Sequence, residues 1–282
     1  MKKEEIDEFI DNRFKKIARH FRKAIDNFKT EDIREFRSEI KKLKVFLHLI
    51  NMESENGFSY RITQRMKTIY GYFGVIQNLQ LQLKKINEYV KKTSCNIPAG
   101  YLNMLERELK FWKKISKDFI VADYDFFNDK KELITTLPDK LTKKSIRKFI
   151  HYTLYELQAI SGHLDDYSLD NTRKFMEDIY YNYALIKPFI TPQQTNLFDE
   201  KAIEECLELF SDFRDKCGAV ILLQTFGIDE LDESEKKLLK EMENDWLHEK
   251  KELKNQLLVK LDSMQIKSNS LSEFALEDSL TE

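Results

Sequence analysis

Residues 33–50, "IREFRSEIKKLKVFLHLI", carry two interleaved series at helical spacing. Ile33, Phe36, Ile40, Leu43, Leu47 and Ile50 recur every three or four residues, the apolar stripe of an amphipathic helix. One residue later Arg34, Arg37, Lys41, Lys44 and His48 repeat the same spacing. They lie about 100° further round the helix and so flank its buried edge. Glu35, Ser38, Glu39 and Lys42 are left for the solvated side. Like charges three and four residues apart destabilise a helix by about a few tenths of a kcal/mol per pair, so helix formation alone does not favour this line. Two outcomes are open for it: an anion-binding surface, or ordinary surface and interdomain salt bridging.

Working outward, the same periodicity runs through most of the chain. Only seven glycines and four prolines interrupt 282 residues, of which 34% are charged and 12% aromatic. This composition predicts an all-α protein. Helices are expected over about 4–28, from Thr30 (as a cap) to residue 50, over 60–92 and from Pro98 to 121. Gly71 and Gly74 would kink the third or admit a close neighbour. The stretch "DYDFFNDKKELITTLPD" has no clean period and reads as a connection. Four more helices are then expected, over about 141–160, 169–187, 199–226 and 230–262, with stops at Gly162, Pro188 and Gly227. The expected segments are 1–124 (first four-helix repeat), 125–138 (connection), 139–263 (second four-helix repeat) and 264–282, expected to be a disordered acidic tail.

The formal charge of −2 hides an asymmetry. Residues 1–137 hold 28 Lys and Arg against 20 Asp and Glu, and residues 138–282 hold 19 against 29. A uniformly basic nucleic-acid binder is not built this way, so no specific nucleic acid is expected as partner. No apolar run reaches bilayer length and "MKKEEIDEFI" lacks the apolar centre of a leader, so a cytoplasmic protein without a membrane partner is expected. Cys95, Cys206 and Cys217 have no metal spacing, and the five histidines are scattered along the chain. Neither a metal nor a cofactor is expected. No nucleophile motif, glycine-rich phosphate loop or Glu-x-x-His pair is present, so no enzyme is expected.

The two halves repeat. Leu169, Thr172, Met176, Ile179, Tyr183 and Ile186 match the stripe at Ile33–Ile50 with an offset of 136, and "GVIQNLQLQL" (74–83) and "FSDFRDKCGAV" (210–220) occupy the same place in each set. Two four-helix-bundle repeats are expected.

In these segments the chain resembles the CHAD family, the conserved histidine α-helical domain. "REFRSEIKKLK" (34–44) is similar to that family's His-x-x-Arg-x-x-x-basic-basic-Leu-basic helix, with Arg34 where histidine is expected and Arg37, Lys41, Lys42, Leu43 and Lys44 matching. "GVIQN" (74–78) resembles its Gly-x-x-Arg-Asp turn with Gln77 and Asn78 substituted, while "DNTRKFMEDIYY" (170–181) keeps Arg173, Lys174 and Tyr181, and "SDFRD" (211–215) keeps Arg-Asp. The resemblance implies two bundles related by an approximate twofold axis, a basic central groove that binds inorganic polyphosphate, and no catalytic centre. It implies a stand-alone member, since no Glu-x-Glu-x-Lys strand accompanies it. Polyphosphate would lie on Arg34, Arg37, Lys41, Lys44, His48 and Arg173, with homo-oligomers or polyphosphate granules as further partners.

The second half departs from this picture. The positions equivalent to Arg34, Arg37, Lys41 and Lys44 are Asp170, Arg173, Glu177 and Tyr180. Either a one-sided groove remains on the first repeat, or acids of the second neutralise its cations. The latter would leave a helical protein-interaction scaffold whose polyanion site has decayed.

Overall fold

The computed structural model describes residues 1–54, 59–120, 126–160, 165–190, 198–226 and 230–264. The expected stops at Gly162 and Gly227, His163 and the tail beyond Met264 lie outside them. The described residues form α1 (Lys3–Asn27), α2 (Thr30–Asn51), α3 (Gln64–Thr93), α4 (Ala99–Ile120), α5 (Phe126–Thr136), α6 (Lys143–Ile160), α7 (Asp166–Ile186), α8 (Glu200–Thr225) and α9 (Glu233–Ser263), with a 3-10 turn at Lys187–Phe189.

Local chemistry sets most boundaries. Asp165, Asp199 and Asp232 cap α7, α8 and α9 by accepting hydrogen bonds from the free N–H groups of their first turns, and Thr63 does the same for α3. Phe28 ends α1 in the left-handed region at φ 52°, a conformation that costs a residue with a Cβ. Burial of its ring edge-on against Phe73, 6.0 Å away, offsets that cost.

Two expectations are corrected here. Thr30 is the first residue of α2 rather than its cap, and its hydroxyl donates to Gln80 Oε1 on α3 at 3.1 Å. The connection at 125–138 contains a further helix, α5. Phe126, Leu133 and Leu137 are buried there, and Lys130 reaches Asp11 of α1 at 2.6 Å.

Helices adjacent in sequence pack as pairs, α1 with α2, α3 with α4, α6 with α7 and α8 with α9. Across the halves α2 meets α7 and α3 meets α8. The buried apolar side chains fall into two interiors, and each draws on both halves. The larger joins α1, α2, α5, α6 and α7 with the first halves of α3 and α8 and with Leu257 of α9. The smaller joins the later turns of α3 and α8 with α4 and α9, through Leu79, Ile86, Tyr101, Leu105, Leu239 and Trp246 among others. No helix among the described residues is long and apolar enough to cross a membrane.

Candidate functional site

Between α2, α3, α7 and α8 lies a cleft of about 610 Å³. α2 brings the apolar stripe to the interior, with Ile33, Phe36, Ile40 and Leu43 fully buried, and this rotation turns the first part of the cationic line into the cleft. Arg34, Arg37 and Lys41 line it, together with Lys84 of α3 and Arg214 of α8.

Each cation is held differently. Arg34 is exposed and makes neither an ion pair nor a hydrogen bond among the described residues. Arg37 stacks its guanidinium 4.6 Å from the centre of the Tyr70 ring and donates from Nη1 to Gln77 Oε1 at 2.8 Å. Gly74 makes this possible, because a Cβ there would stand 3.2 Å from the guanidinium carbon. That glycine admits a neighbour, and α3 runs through it unbroken. Burial pushes the Tyr70 hydroxyl up, but Arg37, Lys41 and Lys44 outweigh it and hold the phenol below its ordinary value.

Lys41 crosses to the other half. Its Nζ lies 2.6 Å from Glu177 Oε1, and Arg173 Nη1 approaches the same oxygen at 2.6 Å. Arg173 Nη2 also holds Asp170 at 2.8 Å. Burial drives the Lys41 amine down, an effect that Glu177 only partly offsets. Burial alone would raise the Glu177 carboxyl, but Lys41 and Arg173 outweigh it and keep the acid below its usual range.

The remaining expected site residues lie elsewhere. Lys44 is exposed, 5.7 Å from the Tyr70 ring centre, and does not line the cleft. His48 leaves the line altogether. Its Nδ1 sits 2.7 Å from Asp178 Oδ2, and its ring stands edge-on to Phe149 and Tyr152, each 5.7 Å away. By this turn α2 is packed between α6 and α7, so its cationic edge has become an interface. Arg173, with a side chain 10% exposed, is consumed by Asp170 and Glu177. Glu39, expected on the solvated side, is 4% exposed and ion-paired to Arg13 and Lys42 at 2.9 and 2.8 Å.

The cleft is mixed in charge rather than basic. Five cations line it against six acids: Glu31 on α2, Glu177 on α7, and Glu204, Glu208, Asp212 and Asp215 on α8. Sequence reasoning named none of the α8 acids, Lys84 or Arg214 as a site residue, although the "SDFRD" motif (211–215) holds Asp212, Arg214 and Asp215. The spacing test that exposed the α2 line would have found them, since the α8 acids stand four, four and three residues apart. Tyr180 and Tyr181 are half-buried lining residues of the cleft. Burial and a hydrogen bond to Glu204 push the Tyr180 hydroxyl up to about 12.

No family model and no curated protein sequence matches the chain. In structure it is similar to the CHAD domain from the plant Ricinus communis, with a TM-score of 0.62 and 13% identity. The match covers 93% of this chain and 90% of that one. The chain therefore has an all-α, CHAD-like fold along nearly its whole length.

Proposed function

We propose that a protein of this CHAD-like fold binds inorganic polyphosphate, without catalysis and in the cytoplasm, through the cationic wall of the cleft between α2, α3, α7 and α8. The observation that carries the reading is the convergence of Arg34, Arg37, Lys84 and Arg214, from three helices, on one cavity. Polyphosphate is a string of anions with no bases to read, so a rigid set of cations suffices to hold it. Arginine grips phosphate oxygens in pairs, and Lys84 adds a mobile point charge. Lys41 contributes only to the extent that it leaves Glu177.

Binding through these four cations displaces counterions, so affinity should fall about fiftyfold when salt is raised fourfold. The test is titration with long-chain polyphosphate at two salt concentrations, with single-stranded DNA as competitor. Arg34→Glu combined with Arg214→Glu changes two exposed side chains and should cut affinity at least tenfold with the helical content intact. Unchanged affinity would refute the proposal.

A second reading is favoured by the charge balance of the cleft and by the Lys41–Glu177 ion pair. On this reading the acids of the second half have neutralised the site and the protein is a helical interaction scaffold. It predicts no salt-sensitive binding of polyphosphate, and recovery of a protein partner or self-association.

A further inference from the structure

The α8 wall poses a problem for a bare phosphate chain. Glu204, Glu208, Asp212 and Asp215 project from one helix face onto the same cavity as the α2 and α3 cations. Glu204 accepts the Tyr180 hydroxyl at 2.9 Å, whereas Glu208 and Asp212 make no ion pair or hydrogen bond among the described residues. Phosphate chains offer these carboxylates only acceptor oxygens and like charge. On the other wall the exposed Arg34 makes neither an ion pair nor a hydrogen bond among the described residues. The cleft thus presents Arg34 and the carboxylates of Glu208 and Asp212 without protein partners among the described residues.

A ligand that is anionic at one end and rich in hydroxyls at the other satisfies both walls. Carboxylates accept hydrogen bonds from hydroxyls, and charge-assisted bonds of this kind are the strong ones. Between the walls stand the rings of Tyr180 and Tyr181, with centres 5.4 Å apart, which offer aromatic surface to a flat group. The cavity of about 610 Å³ falls in the range of small-molecule sites.

We propose that the cleft takes a nucleoside polyphosphate, its phosphates against Arg34, Arg37 and Arg214 and its ribose hydroxyls against Glu208 and Asp212. The inference rests on the polyanion reading of the same cleft and narrows its ligand. Hydroxyl donors to two carboxylates and a base against tyrosine are contacts that tripolyphosphate lacks, although it brings the same number of phosphates.

The experiment is calorimetric titration of the full chain with ATP, tripolyphosphate, adenosine and long-chain polyphosphate, each with EDTA present. ATP should bind about tenfold more tightly than tripolyphosphate. Glu208→Gln with Asp212→Asn, both at exposed positions, should shift the two ligands oppositely. ATP weakens because its hydroxyls lose charged acceptors, and tripolyphosphate tightens because two repelling charges are gone. Tripolyphosphate binding as tightly as ATP would overturn the proposal, as would a double variant that strengthens both ligands alike. If long-chain polyphosphate binds and ATP does not, the nucleotide proposal alone falls. If neither binds, the polyanion reading falls with it.

Discussion

Glu177 is the residue at which stability and anion binding should pull in opposite directions. It accepts both Lys41 and Arg173 at 2.6 Å, and the three side chains are 13%, 23% and 10% exposed respectively. Removing one member of a buried ion group outright costs about 3–5 kcal/mol. Glu177→Gln keeps the volume and one acceptor, so a cost of about 2 kcal/mol is expected, or roughly 3 °C in melting temperature for a chain of this length. The same change frees Lys41 and deletes a negative charge beside the cleft. For a phosphate about 6 Å away at an effective dielectric constant of about 20, that charge is worth about 2.8 kcal/mol. Screening at about 0.1 M salt reduces this to about 1.5 kcal/mol, a tenfold gain in affinity. Thermal unfolding and polyphosphate titration on the same preparation read both quantities. A folded Glu177→Gln protein that melts lower but binds polyphosphate no more tightly would refute the placement of the anion in this cleft. The scaffold reading predicts that result.

Further tests follow from the ion pairs and glycines. The Asp178 hydrogen bond holds the His48 imidazole above its ordinary value of 6.5 against the opposing effect of burial. Its stabilisation is therefore full below 6.5 and lost as pH rises through the raised folded value. Melting temperature should decline over that interval, and Asp178→Asn should flatten the decline. Burial alone would raise the Glu39 carboxyl, but Lys42 and Arg13 outweigh it and hold the acid below its ordinary 4.5. Its contribution is thus present above 4.5 and lost as pH falls through the folded value, and Glu39→Gln should cost about 2–3 kcal/mol in urea denaturation at neutral pH. Gly71 has open space where a Cβ would go, so Gly71→Ala should stabilise α3 by up to about 1 kcal/mol. Gly74→Leu should displace Arg37 and weaken polyphosphate binding about as much as Arg37→Ala does, with titration of the two variants side by side as the check.

The apolar line of α2 was legible because spacing alone decides which residues share a face, and all six of its members are buried. How wide the buried face would be was not legible. Val45, Phe46 and Leu49 lie off the stripe and are buried as well, because α1, α6 and α7 all pack on this helix. The same crowding takes Glu39 and His48 from solvent. A sequence states where a charge sits on its own helix, but its partner lies on another: Arg13 is 26 residues from Glu39, and Asp178 is 130 from His48. α5 escaped for a different reason. Its eleven residues form about three turns, too few to stand out from the acidic stretch before them.

The two interiors have a consequence for how the chain could be divided. Because each is assembled from both halves, a cut between Ile120 and Phe126 would leave neither piece with a closed interior. Each fragment would expose the α2 and α3 faces, or the α7 and α8 faces, that now meet one another. Such fragments should behave as obligate partners, folding when mixed and aggregating when alone. The walls of the cleft would come from different fragments, so an anion bridging them would act as a bolt that raises the affinity of one fragment for the other.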